Sequence, residues 1–216
     1  MQETLAGWQS ALVSLAVESS DGDGAHDINH LHRVWNVAER LLKEHPEADA
    51  LVVLAACYLH DIVNLPKDHP ERACASRLAA RRAFEKLAQA GFPSGKLNAV
   101  AHAIEAHSFS AGIAPVTIEA QIVQDADRMD ALGAVGLARL FYTAGRMGSL
   151  LAHPSDPLAV NRSMDDRTFA LDHIECKLAT LPATMQTKAG RRLGEERLAW
   201  LRAYRDTFAA EWGELR

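Results

Sequence analysis

Ala50-Leu51-Val52-Val53-Leu54-Ala55-Ala56-Cys57-Tyr58-Leu59-His60-Asp61 is the stretch on which the reading of the fold turns. Its apolar run has no polar side on a helical wheel, and a helix apolar all round belongs in a protein core. It is too short for a bilayer, which takes about 20 apolar residues. The run then stops on two ionisable groups. Unpaired in an interior, each would cost several kcal/mol. A bound cation removes that cost, because neutral imidazole and carboxylate are both good metal ligands. The alternative is a helix end meeting solvent, with His60 at the negative end of the helix dipole.

Other clusters bear on this choice. Upstream, Ala25-His26-Asp27-Ile28-Asn29-His30-Leu31-His32-Arg33-Val34 is dense in histidine. A helix beginning near Asn29 places His30 on one face with Val34, Val37 and Leu41, hence inward, and leaves His32 exposed. Asp21, Asp23 and Asp27 suggest a calcium loop, but His26 and His32 stand where that loop needs Gly and Glu. Downstream, Gln124-Asp125-Ala126-Asp127-Arg128-Met129-Asp130 holds three aspartates between apolar residues. Asp125 and Asp127 flank the Ile122–Ala126–Met129 stripe on either side, so the wheel leaves them tied. His107 shares a face with Val100, Ala103 and Ile104, whereas His102 reads as an ordinary helix residue.

The whole chain reads as helices over roughly 3–18, 29–45, 48–63, 68–91, 94–108, 117–130, 132–147, 166–180 and 187–213, with ends good to about 2–4 residues. Pro46, Pro66, Pro93, Pro115, Pro154, Pro157 and Pro182 fall between them. Residues 19–25 and 148–165 are linker-like, and a structureless stretch as long as the second is often functional or mobile. Composition does not change across either linker. With 216 residues, 48% hydrophobic and 24% charged, the expectation is one domain spanning 1–216, with its metal-site core at about 26–147 and C-terminal helices at about 166–213. A net charge of -5 argues against a general nucleic-acid binder. Cys57, Cys74 and Cys176 form neither a disulfide framework nor a CxxC clip, which suits a reducing compartment. Without a leader or a membrane-length apolar run, the expected location is cytoplasmic. No nucleophile elbow, phosphate-binding Gly-Lys-Ser/Thr loop or HExxH competes.

In order and type, His30…His60-Asp61…Asp127 resembles the HD superfamily of metal-dependent phosphohydrolases. His30-x-x-Arg33-Val34 is similar to its first ligand helix and Ala126-Asp127-Arg128 to its last ligand. His60-Asp61-Ile62-Val63-Asn64-Leu65-Pro66-Lys67, Ala75-Ser76, His107-Ser108-Phe109-Ser110, Gln124 to Gly133 and Lys177-Leu178 resemble the small bacterial single-domain branch. Met129 stands where leucine is expected, a conservative core exchange. The resemblance implies an all-α helical bundle with the metal between central helices, and it selects Asp127 over Asp125.

It further implies an enzyme that hydrolyses a phosphate ester or anhydride, with a nucleotide or other small phosphorylated compound as substrate. The implied ligands are His30, His60, Asp61 and Asp127 around one divalent ion (Mn, Fe, Ni, Co or Mg), with room for a second. Asp61, Lys67 and Arg128 are the catalytic candidates. Lys67, His107, Arg33 and Lys177 are candidates for holding the substrate, and Arg77 is a further positive side chain of the same kind as Arg33 and Lys177. The expected assembly is a monomer or homodimer, without sequence-specific nucleic-acid or membrane partners. A non-catalytic nucleotide-binding HD module and a di-iron HD-fold oxygenase are the alternatives.

Overall fold

The computed structural model describes residues 5–18, 28–63, 74–108 and 111–213. The chain is all-α: α1 (Leu5–Val17), α2 (Ile28–Leu42), α3 (Ala50–Leu59), α4 (Ala75–Gln89), α5 (Leu97–His107), α6 (Ile118–Met129), α7 (Gly133–Arg146), two one-turn helices α8 (His173–Cys176) and α9 (Leu181–Thr184), and α10 (Lys188–Gly213). Among the described residues the only β feature is an isolated bridge between Leu150 and Phe169. None of the described helices is long and apolar enough to cross a membrane. The chain divides into two compact units, Met1–Asp127 and Arg128–Arg216. The division falls inside α6 and not in either linker-like stretch.

In the first unit α3 is the central element, packed against α1, α2, α4 and α5. Every residue from Val52 to Leu59 is buried, as its all-round apolar pattern requires. Burying one leucine such as Leu54 contributes about 1.5–3 kcal/mol. Asp49 caps the start of α3, its carboxylate accepting from Leu51 N at 3.0 Å and Val52 N at 3.3 Å. Such a cap is worth about 1 kcal/mol. Asp49 also pairs with Lys96, and its own backbone N–H donates to Glu119 at 2.9 Å. These contacts fix the end of α3 opposite His60. Helix α2 buries His30, Leu31, Val34, Trp35, Val37, Ala38 and Leu41, so the helical spacing places His30 inward as read.

In the second unit α10 packs on α7 and α9. It buries Leu193, Leu198 and Leu201 and stacks Trp200, Tyr204, Phe208 and Trp212 along one side. The turn that begins α7 uses Gly133 at φ +74, with the Arg197 stem 3.3 Å from where a Cβ would stand. One turn later Gly136 faces the Ala131 carbonyl, whose oxygen a Cβ would overlap. Gly136→Ala is therefore expected to destabilise by about 2–3 kcal/mol. Gly145→Ala, with nothing within 4 Å, should instead stabilise α7 by up to about 1 kcal/mol. Urea unfolding of the two variants checks this, and equal effects would contradict it.

Two expectations are corrected in this unit. The helix read over 166–180 is broken into short turns, the 3-10 turns Ala170–Asp172 and Leu178–Thr180 flanking α8. Side chains capture the backbone there: Asp165 accepts from Arg167 N and Thr168 N, and Asp172 accepts from Asp165 N at 2.8 Å. Such local bonds compete with helix. The 148–165 stretch is not structureless either. Leu150 N bonds Thr168 O, Ala170 N bonds Leu150 O, and Arg162 grips the buried Asp172 with two bonds of 2.6 and 2.8 Å.

Candidate metal centre

Helix α3 ends at His60, which is fully buried. Its Nδ1 lies 2.9 Å from Cys57 O. A carbonyl can only accept, so Nδ1 carries the hydrogen and the Nε2 lone pair faces away from α3. His107, the last residue of α5, has the same arrangement with Ile104 O at 2.6 Å. Both imidazoles thus present Nε2 as an acceptor, fixed by the backbone of their own helices.

These nitrogens converge with the carboxylates. His30 Nε2 lies 3.3 Å from His60 Nε2, 3.8 Å from Asp61 Oδ2 and 3.5 Å from Asp127 Oδ1. His60 Nε2 lies 3.4 Å from Asp61 Oδ2 and 3.7 Å from Asp127 Oδ1. The other oxygen of Asp61, Oδ1, is 3.7 Å from His107 Nε2. Two triads of donor atoms, His30–His60–Asp61 and His60–His107–Asp127, each lie within 4.8 Å of one another. The His30 and His60 side chains are almost fully enclosed, whereas Asp61 and Asp127 retain 18% and 27% exposure. The imidazoles therefore form a floor and the carboxylates a rim open to a ligand.

The donor set fits a divalent cation. Donors about 2.1 Å from an ion stand about 3.0–3.4 Å apart, at 90° or tetrahedral angles, close to the spacings here. Two carboxylates with neutral imidazoles carry the charge that a divalent ion neutralises. Two imidazole nitrogens at 3.3 Å repel through their lone pairs unless a proton or a cation lies between them.

Without metal, a proton takes that place. Burial lowers the His60 pKa, but the charge of Asp61, and then that of Asp127, outweighs it and raises the value to about 9. His107 goes the other way, lowered first by burial and next by His60. A raised imidazole adds stability that is complete below the unfolded value near 6.5 and is lost as pH rises through about 9. A lowered one adds stability present above about 6.5 and lost as pH falls through its folded value. Chelator-treated protein is thus expected to melt highest near pH 6.5 and progressively lower towards pH 9. His60→Gln should flatten that alkaline limb. A melting temperature that climbs from pH 6.5 to 9 would refute the assignment.

The other candidates are placed as follows. Asp125 is fully buried, and among the described residues it joins neither triad of donors. His102 accepts from Val116 N at 3.2 Å, a structural contact. Arg33 is half-buried on α2 and Arg77 exposed on α4; Lys177 is exposed in the second unit. Arg128 donates to Thr184 O at 2.8 Å. Lys67 lies outside the described residues. Two contacts were not read from the sequence. Gln124, one turn before Asp127, donates to Ala106 O at 2.6 Å, beside His107. His32, expected to be exposed, is half-buried and bonded to Tyr58 at 2.8 Å.

Comparison with known proteins shows the family. The HD domain family model matches residues 27–132. The uncharacterized protein YpgQ of Bacillus subtilis is 32% identical over 182 residues, covering 82% of this chain and 80% of that protein. The crystal structure of Bacillus subtilis YpgQ in complex with ADP is similar at a TM-score of 0.73, with 28% identity and 96% of each chain covered. An HD-superfamily hydrolase from Bacillus thuringiensis matches at a TM-score of 0.74, with 27% identity, covering 97% of this chain and 98% of that one. The chain belongs to the HD-domain family.

Proposed function

We propose that the protein is a metal-dependent phosphohydrolase acting on a nucleotide, with His30, His60, Asp61 and Asp127 as ligands of one divalent ion. The observation that carries this reading is that His30 Nε2 and His60 Nε2, 3.3 Å apart, each lie 3.4–3.8 Å from an oxygen of Asp61 and from an oxygen of Asp127. The ADP complex of YpgQ supports a nucleotide as the substrate class. When bound, such an ion polarises a phosphoryl oxygen and makes water a nucleophile at neutral pH.

The chain's own groups have separate tasks in this proposal. His60 holds its Nε2 inward through its bond to Cys57 O. Asp61 divides its two oxygens: Oδ2 faces His30 and His60, while Oδ1 faces His107 and can orient the attacking water between them. With Nδ1 committed to Ile104 O, His107 Nε2 accepts a hydrogen bond rather than donating one. We therefore assign His107 to the water and not to a phosphate oxygen. Lys67, six residues beyond Asp61, remains our choice to neutralise phosphate charge. Because Arg128 is directed to the Thr184 carbonyl, we give it a holding role. Arg33 and Lys177 are weaker candidates for phosphate contact.

The test is a phosphate-release assay on protein loaded with Mn²⁺, offered nucleoside mono-, di- and triphosphates and simple phosphate esters. Turnover that disappears with chelator and returns with metal is the expected result. Tight nucleotide binding without turnover would overturn the hydrolase reading and leave a binding module.

A further inference from the structure

Tyr58 lies inside the most apolar helix of the chain and is 1% exposed, yet its hydroxyl has two partners. Gln9 Nε2 of α1 donates to it at 3.0 Å, and His32 Nδ1 of α2 lies 2.8 Å away. The His32 ring also sits edge-on to the tyrosine ring, with centroids 5.5 Å apart and planes at 80°. A phenol keeps its hydrogen at neutral pH and has both a donor and an acceptor to place. Three helices therefore meet at one buried hydroxyl.

The position of this contact matters more than its strength. Tyr58 stands two residues before His60 on α3, and His32 two residues after His30 on α2. Residues two apart point to different sides of a helix, so His32–Tyr58 and His30–His60 are two separate points at which α2 and α3 meet, and their numbering has the two helices running in opposite directions. Apolar faces alone tolerate sliding, because dispersion and burial are not directional. One residue of slip along a helix is 1.5 Å, whereas metal–ligand distances hold to about 0.2 Å. A buried polar bond that forms in only one register supplies the missing selection.

We propose that the Tyr58–His32 hydrogen bond is a positioning contact for the metal centre: it sets the register of α2 on α3 and so keeps His30 Nε2 beside His60 Nε2. The proposal rests on the metal reading above in treating that pair as ligands. Tyr58 and His32 touch neither metal nor substrate; they act through His60 and His30.

Two readouts test it on the full chain: calorimetric titration with Mn²⁺, and the nuclear Overhauser contact between the His30 and His60 rings in chelator-treated protein. Tyr58→Phe keeps the ring and removes the hydroxyl. It should raise the Mn²⁺ dissociation constant about tenfold, in the range for residues supporting a ligand, and weaken the ring contact. His32→Leu should do the same, and the double variant should bind Mn²⁺ no worse than either single one, since both remove the same bond between α2 and α3. His32→Asn, which puts an amide where Nδ1 stands, should recover most of the affinity. At saturating Mn²⁺ the turnover of Tyr58→Phe should stay within about twofold of wild type. If Tyr58→Phe does not fold, His32→Leu, at the half-buried end, carries the same comparison. A lowered melting temperature with unchanged Mn²⁺ affinity and unchanged ring contact would overturn the proposal, leaving a bond that only satisfies a buried hydroxyl. Wild-type protein that takes up no Mn²⁺ would sink the metal reading instead, and the ring contact would then decide the register claim alone.

Discussion

His60→Ala is expected to abolish measurable metal binding and to lower phosphate release by at least about 10³-fold, since even residues that only support a ligand cost 10–100-fold in affinity. The physical argument has two parts. His60 Nε2 lies within 3.3–3.7 Å of His30, Asp61 and Asp127, so its removal opens the centre of the donor set. His60 is also fully buried, so alanine leaves a cavity and strips Cys57 O of the imidazole N–H. The fold should lose about 2–3 kcal/mol in consequence, and the variant must be shown to be folded before its activity is read. His60→Gln fills more of the space and separates the two effects: stability should partly recover while metal affinity stays low. A folded His60→Ala protein that binds Mn²⁺ within tenfold of wild type and still releases phosphate would contradict the site as assigned.

That expectation was within reach of the sequence because α3 is an extreme case. A helix with no polar side can only be a core helix, and two ionisable groups at its end need a partner. His30 was legible for a similar reason, since its spacing with Val34, Val37 and Leu41 places it inward without knowledge of any neighbour. The readings that missed depend on neighbours. His32 looked exposed because the wheel of α2 cannot know that Tyr58 of α3 stands opposite. The bond of Gln124 could not be read because Ala106 O, its acceptor, belongs to another helix. The helix read over 166–180 failed for a local reason of a different kind. Asp165 and Asp172 take up backbone N–H groups that a helix would have used, and periodicity counts apolar residues, not such captures. The resemblance to HD proteins added the order of the ligands, which neither periodicity nor spacing supplies.

Asp125 and Asp127 show this division most sharply, and they carry the second large effect. On the wheel of α6 they are equivalent; in the fold they are not. Asp127 Oδ1 stands 3.5 Å from His30 Nε2 and 3.7 Å from His60 Nε2, with its side chain 27% exposed at the rim. Asp125 is fully buried and, among the described residues, belongs to no group able to hold an ion. A rim carboxylate costs little to keep charged, so its worth lies in what it binds. A buried carboxylate is costly to keep at all, so its worth lies in the contacts it satisfies. Asp127→Asn removes only the lesser of the two charges that raise His60, so it should lower the melting temperature of chelator-treated protein only slightly while lowering Mn²⁺ affinity by at least about 10²-fold, the upper range for lesser disturbances of a ligand set. Asp125→Asn should do the reverse, costing about 1–3 kcal/mol of stability with Mn²⁺ affinity within about tenfold of wild type. Parallel urea unfolding and calorimetric titration of both variants read the two axes separately. If Asp125→Asn loses the metal and Asp127→Asn keeps it, the fourth ligand has been placed on the wrong side of the α6 stripe, and the donor set must be rebuilt around the buried aspartate.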